Sequence, residues 1–184
     1  MNIAVFCSSS NHIATYYHQV AFRLGEYIAS KRNTLVYGGA TGGLMDAVAE
    51  GAHSKEGKIV GVVPETILKM NRQSSFPTEL LSTKDLAERK QMIKNLSHLF
   101  IVLPGGYGTL DEMFDIIASG VLGEHNKPLV LLNELHFFDY LLQQISQMKE
   151  KYFIPENENY TPHIVTSLEE CFDLLNLIYP PKNL

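Results

Sequence analysis

The chain lacks the features that a membrane span or a disulfide scaffold requires. Only two cysteines, Cys7 and Cys171, occur among its 184 residues, and they are far apart without C-x-x-C spacing. This usage predicts a reducing compartment, with Cys7 as a buried structural thiol rather than a nucleophile. No apolar run approaches the roughly 20 residues of a membrane helix, and no basic leader precedes the first apolar segment. We therefore expect a soluble, cytoplasmic protein with no membrane partner.

Positive charge is also scarce. The chain carries 15 lysines and arginines against 20 aspartates and glutamates, which gives a net charge of −5. A nucleic-acid partner would require a basic surface, so the balance argues against one. A small anionic ligand remains compatible, because a few backbone amides and one or two cations suffice to hold it.

Metal and common nucleotide motifs are missing as well. The seven histidines show no ligand spacing, so no metal site is expected. The junction at residues 7–11 has no glycine, which makes a dinucleotide-binding fingerprint a weak interpretation. The G-x-x-x-x-G-K-[ST] loop of common ATPases is absent too.

Hydrophobic patterning predicts a single α/β domain over residues 1–184. Runs that are apolar on both faces are typical of strands in a covered parallel sheet, and they occupy residues 3–6, 34–37, 59–63, 99–103 and 129–132. Segments of helical length lie between them, at residues 15–31, 44–54, 84–97, 109–122 and 137–151. A short run at 163–166 and a helix at 168–178 complete the pattern. This order predicts a doubly wound, mainly parallel sheet flanked by helices.

Two regions fall outside that pattern. Residues 64–77 form the longest irregular stretch, which is either a mobile loop over the site or a plain surface connection. The tail from about residue 180 is expected to be poorly ordered.

Two glycine-rich turns, at residues 37–45 and 103–112, each follow a predicted strand and precede a predicted helix. Glycine permits positive φ and lets the backbone approach a ligand. The helix that follows directs unpaired N–H groups and its positive dipole end at the turn, which suits a phosphate. Plain chain reversal explains the first turn about as well. The second turn, where Gly105, Gly106 and Gly108 directly precede Thr109, favours a phosphate loop.

Polar side chains accompany these turns, and each has two interpretations. Thr109 is expected near the helix N-cap, where its hydroxyl caps the helix or donates to phosphate. Glu112 points towards the crevice or completes a capping box with Thr109. Arg89 and Lys90 hold phosphate or form a solvated helix face. Ser8 offers its hydroxyl to a ligand or belongs to the N-cap of the next helix.

Residues 104–112 read Pro-Gly-Gly-Tyr-Gly-Thr-Leu-Asp-Glu. They resemble the P-G-G-x-G-T-x-x-E signature of the LONELY GUY (LOG) family of cytokinin riboside 5′-monophosphate phosphoribohydrolases, formerly labelled lysine decarboxylases. Further matching segments extend the resemblance over nearly the whole chain, at residues 5–9, 36–39, 43–45, 61–64, 89–90, 122–123, 125 and 127–128.

The resemblance implies a Rossmann-like fold, a homodimer and a nucleosidase with neither metal nor organic cofactor. The implied reaction hydrolyses the N-glycosidic bond of AMP or an N6-modified AMP to free base and ribose 5-phosphate, as in cytokinin biosynthesis. Arg89 and Glu112 match the family's catalytic pair. The loop that holds the 5′-phosphate comprises Gly105, Gly106, Tyr107, Gly108 and Thr109. We also expect Ser8, Gly39 and Lys90 to contact phosphate or ribose.

Some positions depart from the family pattern. Leu86-Ala87 replace a common Met-His, residues 118–121 replace Thr-Trp-Ala-Gln, and Ala40 and Asp46 stand at glycine positions. These changes concern the base and the dimer crevice, so plain AMP or another purine nucleotide fits as well as a cytokinin nucleotide. The alternative function is a non-catalytic carrier of a nucleotide or a pterin-type phosphoester. Such a carrier needs the phosphate loop but not both Arg89 and Glu112.

Overall fold

Strands and helices alternate along the chain in the computed structural model, which describes residues 1–155 and 159–180. The strands are β1 (Asn2–Phe6), β2 (Thr34–Tyr37), β3 (Ile59–Pro64), β4 (Glu79–Thr83), β5 (Leu99–Val102), β6 (Leu129–Leu132) and β7 (His163–Val165). The helices are α1 (Thr15–Ser30), α2 (Gly43–Ser54), α3 (Glu65–Lys69), α4 (Leu86–Leu96), α5 (Tyr107–Val121), α6 (Asp139–Glu150) and α7 (Leu168–Ile178). The tail predicted beyond residue 180 lies outside the described residues.

All seven strands pair in parallel, in the order β4-β3-β2-β1-β5-β6-β7. The prediction of a doubly wound parallel sheet is confirmed. The apolar runs form the central strands because both faces of the sheet are covered. One buried cluster joins the sheet to α1, α2 and α7, and another lies under α4, α5 and α6.

The strand order reverses at β1, which lies between β2 and β5. Asn2 pairs with Thr34 on one side, and Ile3 pairs with Leu99 on the other. The chain leaves β1 towards β2 and leaves β5 towards β6, so the connections after these two neighbouring strands run to opposite sides of the sheet. Ligands of doubly wound sheets bind at such a point, beyond the carboxyl ends of the strands.

Helices α1 and α2 cross at glycines. A Cβ on Gly25 would lie 2.8 Å from the backbone nitrogen of Ala52, and one on Gly51 would lie 2.8 Å from the carbonyl carbon of Phe22. Neither backbone has room for a side chain at the crossing, so the two glycines fix the distance between the helices.

The structure corrects the sequence-based expectations at two elements. Strand β4 was not predicted, because four of its five residues are at least partly exposed and it forms the polar edge of the sheet. The stretch at residues 64–77 is not wholly irregular. It contains α3, and Gln73 forms an antiparallel bridge with Ala40.

Across the described part of the chain, none of the helices combines the length and apolar character needed to span a bilayer. Both cysteines are free and buried. Burial, followed by the charges of Glu112 and Asp46, raises the pKa of the Cys7 thiol, so the thiol stays protonated.

Candidate active site

Chain segments from both sides of the switch point meet at the carboxyl edge of the sheet. The Ser8 amide, just after β1, donates to the Pro104 carbonyl, just after β5, at 3.3 Å. Arg89 on α4 reaches the turn after β2, where a Cβ on Gly38 would lie 3.5 Å from a guanidinium nitrogen. The same guanidinium contacts Glu112 on α5. These contacts bring Ser8, Arg89 and Glu112 to the same edge of the sheet as the glycine loop.

The glycine loop after β5 leads directly into the N-terminus of α5. The helix begins at Tyr107, and its N-cap residue Gly106 provides no side-chain cap. Leu110 donates to the Gly106 carbonyl at 3.0 Å, whereas no described residue accepts a hydrogen bond from the amides of Tyr107, Gly108 and Thr109. Three free amides at the positive end of a helix form a site suited to an anion.

The three glycines of this loop occupy different surroundings, so the reason for glycine differs between them. A Cβ on Gly105 would lie 2.5 Å from the Cβ of Thr109, so the packing of the protein itself requires glycine there. A Cβ on Gly106 or Gly108 would meet no other described residue within 4 Å. Neither has positive φ, so the folded chain does not require glycine at these two positions. Close approach of a ligand to the backbone would explain both.

Two capping expectations are wrong at this loop. Thr109 is not the N-cap but the third residue of the helix, and its buried side chain packs against Gly105. Glu112 is consequently not its capping-box partner. The helix begins at Tyr107, two residues earlier than predicted. The predicted start was too late because glycine usually interrupts helices, whereas Gly108 lies inside the first turn of this one.

The first glycine turn lacks the free amides of the second. Amides at the start of α2 all donate to protein oxygens, namely Gly42 to the Asp46 carboxylate (2.7 Å), Gly43 to the Asn11 side chain (2.9 Å) and Leu44 to the Ser8 carbonyl (2.9 Å). The N-terminus of α2 is therefore capped by the protein itself. Of the two interpretations of this turn, the geometry favours chain reversal.

Ser8 and Gly39 border the crevice. The Ser8 hydroxyl accepts from the Ser10 amide at 3.1 Å, and α1 has Ala14 as its N-cap, so the capping role expected of Ser8 is wrong. Gly39 has φ of +63°, and a Cβ there would lie 2.7 Å from a methyl of Val63. Packing against β3 therefore requires this glycine. A contact of either residue with a ligand stays a prediction.

Arg89 and Glu112 form a buried ion pair across α4 and α5. One guanidinium nitrogen donates to the Glu112 carboxylate, and the side chains are only 11% and 4% exposed. Burial raises the pKa of Glu112 to about 7, although the charge of Arg89 acts in the opposite direction. The carboxyl group thus changes its charge near neutral pH. The Arg89 Nε is buried and has no hydrogen-bond partner among the described residues.

Lys90 does not lie free in the crevice. Its ammonium donates to Asp111 at 2.8 Å and lies 3.7 Å from Asp115. Lys94 contacts the other oxygen of Asp115 at 3.0 Å. Sequence reasoning missed these pairs, although a signal existed: lysines four apart on one helix match aspartates four apart on the next. Phosphate binding by Lys90 stays a prediction.

Within the two described ranges, no three histidine, cysteine, aspartate or glutamate residues form a group able to hold a metal ion. The groups that the structure places at this edge of the sheet are a buried ion pair and the free amides of a helix.

Comparisons with known proteins point to one family. A family model described as "Possible lysine decarboxylase" matches residues 45–175. A cytokinin riboside 5′-monophosphate phosphoribohydrolase of Arabidopsis thaliana is 34% identical over 183 residues, covering 98% of this chain and 79% of the relative. An enzyme of the same name from Rhodococcoides fascians is 38% identical over 154 residues, covering 83% of this chain and 78% of the relative.

The fold also matches solved structures. The molybdenum cofactor binding protein of the phototrophic bacterium Rippkaea orientalis superposes with a TM-score of 0.73 and 24% identity, over 96% of each chain. At that identity the likeness shows the shared Rossmann-like architecture alone.

Proposed function

This chain belongs to the LONELY GUY family of phosphoribohydrolases, and from that premise we propose that it hydrolyses the N-glycosidic bond of a purine nucleoside 5′-monophosphate. The products are the free base and ribose 5-phosphate. The single observation that carries the proposal is the buried Arg89–Glu112 pair beside the open N-terminus of α5.

The phosphate subsite in this proposal is the loop at residues 105–109. The free amides of Tyr107, Gly108 and Thr109 donate to the phosphate oxygens, and the helix dipole favours the anion. Glu112 follows Gly108 by four residues, which is about one turn of helix or roughly 6 Å along its axis. A ribose spans a comparable length. Ser8 and Gly39 border its path.

Glu112 acts on the ribose in this scheme. Cleavage of the glycosidic bond builds positive charge on the sugar, and an ionised carboxylate stabilises that charge. The effect is strong because the carboxylate is buried and water does not screen it. Water adds its hydroxyl to the anomeric carbon, and its remaining proton accompanies the departing base. Holding a ribose hydroxyl and activating that water are further roles open to the same oxygens.

Arg89 acts first on Glu112 and then on the nucleotide. Its charge favours the ionised carboxylate against the effect of burial. Its guanidinium also lies beside Gly38 in the turn after β2, where its remaining N–H groups can donate to the substrate. Binding of the remote phosphate supplies the orientation that brings the anomeric carbon to this pair.

We propose AMP and N6-modified AMP as the substrates. The printed names of the Arabidopsis thaliana and Rhodococcoides fascians relatives specify a cytokinin riboside 5′-monophosphate. In this chain Leu86 begins α4, the helix of Arg89, and is more than half exposed. Such a side chain offers apolar contact to a base or to its N6 substituent.

The test is product release. We expect purified protein incubated with AMP or with isopentenyl-AMP to liberate free base and ribose 5-phosphate in equal amounts, quantified by chromatography. The corresponding nucleosides, which lack phosphate, should be cleaved at least about a hundredfold more slowly, because phosphate binding supplies the orientation. Binding of AMP without cleavage of either nucleotide would replace the enzyme with the carrier function.

We propose a homodimer in the cytoplasm, without a nucleic-acid partner. Helix α5 carries an exposed apolar stripe, formed by Tyr107, Phe114, Val121 and the adjoining Leu122. The first three are seven residues apart, which places them on one face of the helix. A second copy of the chain is the partner that would cover this stripe.

A single charge should disrupt that dimer. We expect Leu122→Asp to shift the protein to a monomer in size-exclusion chromatography with light scattering, because the carboxylate would be buried in an apolar contact. Leu177→Asp on α7 is the matched control, since both leucines are 78% exposed in the single chain. An unchanged mass for Leu122→Asp would place the interface elsewhere.

A further inference from the structure

Polar contacts continue from the catalytic pair along the seam between α4 and α5. We name the residues that make them the α4–α5 ladder: Lys90, Lys94, Asp111, Asp115 and Ser119. Lys90 pairs with Asp111 (2.8 Å) and Asp115 (3.7 Å), and Lys94 pairs with Asp115 (3.0 Å) and the Ser119 hydroxyl (3.1 Å). Each rung joins one helix to the other.

The ladder adjoins the catalytic pair on both helices. Lys90 follows Arg89 directly on α4, and Asp111 precedes Glu112 directly on α5. Adjacent residues of a helix point about 100° apart, so two neighbouring bonds between the same helices fix their rotation as well as their separation. These contacts therefore oppose a rotation of α4 that would move Arg89 away from Glu112.

The further rungs lie deep in the seam. Lys94 is 8% exposed and Ser119 is 5% exposed. Buried charges in contact with partners are costly to separate, so the seam resists opening. The Lys94 carbonyl also accepts from the Lys127 ammonium at 2.6 Å, which ties the C-terminal half of α4 to the segment before β6.

Charged groups reach Glu112 from both helices. Arg89 and Lys90 on α4 lower the pKa of its carboxyl group, and Asp111 on α5 raises it. Just after β1, the Cys7 thiol, which stays protonated, interacts with the same carboxyl group. Lys90 and Asp111 thus act on the charge of Glu112 in opposite directions while they bind each other.

We propose that Lys90 and Asp111 are positioning residues for the Arg89–Glu112 pair, and that Lys90 does not bind the substrate phosphate. The inference rests on the proposed hydrolase function. The contact between Lys90 and Asp111 keeps Arg89 opposite Glu112. The positive charge of Lys90 and the negative charge of Asp111 also have opposite effects on the Glu112 carboxyl group.

The test compares Lys90→Gln with Asp111→Asn. We expect kcat for AMP to fall about tenfold or more in both, because a small displacement of Arg89 misaligns the pair. The Kd for ribose 5-phosphate, measured by calorimetry, should stay within about twofold of wild type, since neither residue belongs to the phosphate subsite. A tenfold weaker Kd with unchanged kcat in Lys90→Gln would overturn the proposal and make Lys90 a phosphate ligand.

The pH profile separates positioning from general loss of structure. Ionised Glu112 is the active form, so kcat/KM of the wild type should rise through about pH 7. The midpoint should move to higher pH in Lys90→Gln, which loses a cation, and to lower pH in Asp111→Asn, which loses an anion. Shifts in the same direction, or none, would contradict the proposal. Lys69→Gln, which removes an exposed pair with Glu65, is the matched control and should leave the profile unchanged.

Direct titration of the Glu112 carboxyl by carbon-13 NMR keeps the two proposals apart. The opposite shifts should appear in that titration whether or not the protein turns over AMP. If the two variants shift the titration in opposite directions but the protein does not hydrolyse AMP, the proposed function is wrong and the positioning role is supported. If the protein hydrolyses AMP but neither variant shifts the titration of Glu112, the positioning role is wrong and the proposed function is supported.

Discussion

Replacing Glu112 with alanine is expected to reduce hydrolysis of AMP and isopentenyl-AMP by about a thousandfold or more, and Arg89→Ala is expected to do nearly the same. The Glu112 carboxylate is the buried anion placed to meet the cationic ribose. Without Arg89, burial would hold that carboxyl in its neutral form at neutral pH, and a neutral carboxyl stabilises a cation poorly. The two losses therefore have one electrostatic origin.

Phosphate binding should survive both changes. The amides that receive the phosphate belong to the first turn of α5, and neither side chain contributes to them. We expect ribose 5-phosphate to bind with a Kd within about threefold of wild type, while product release in single-turnover assays disappears. Retained hydrolysis in folded Glu112→Ala protein would remove Glu112 from the mechanism.

Stability has to be monitored in these variants. Glu112→Ala leaves the Arg89 charge buried without its carboxylate, a change that typically costs about 3–5 kcal/mol. Glu112→Gln keeps an acceptor for the guanidinium and is the safer companion variant. Circular dichroism of each protein distinguishes lost chemistry from lost structure.

Gly25→Ala is expected to reduce the free energy of unfolding by about 3 kcal/mol or more, a large part of the roughly 5–15 kcal/mol that a domain typically has. A methyl at Gly25 would meet backbone atoms of Val48 and Ala52. Backbone cannot change rotamer, so α1 and α2 would have to separate and expose the apolar cluster between them. Urea unfolding followed by circular dichroism measures the change.

Gly108→Ala is the matched control for stability. It makes the same chemical change inside a helix, but its methyl would meet no other described residue within 4 Å. Alanine favours helix over glycine, so the free energy of unfolding should stay constant or rise by up to about 1 kcal/mol. If both variants lost the same free energy of unfolding, the close crossing of α1 and α2 would not be the reason for glycine at position 25.

The sequence predicted the strands that are buried on both faces, since their apolar runs leave few other interpretations. Strand β4 was not predicted, because a strand at the sheet edge can contain exposed residues such as Glu79 and Ser82 and so lacks a continuous apolar run. Its pairing with β3, from Val60↔Glu79 to Pro64↔Thr83, depends on a register that only the folded sheet defines.

In the site, too, local sequence features were predictable, whereas contacts between distant residues were not. The glycine loop was identifiable because it clusters glycines between a strand and a helix, and the family resemblance pointed to Arg89 and Glu112. Their contact spans 23 positions and depends on how α4 packs against α5. The pairing of Lys90 with Asp111 depends on the same packing, so the sequence alone did not predict it.

The central place of β1 governs how the protein folds during its synthesis. Strand β1 borders β5, with Ile3 next to Leu99, so one edge of β1 waits for almost a hundred residues of further chain. Such distant parallel pairing slows folding, and the unpaired edge invites association with other chains in the interval. Because the glycine loop follows β5, it reaches its place in the fold only after β5 has joined β1. A chain that ends before residue 99 therefore lacks the glycine loop and leaves one edge of β1 unpaired.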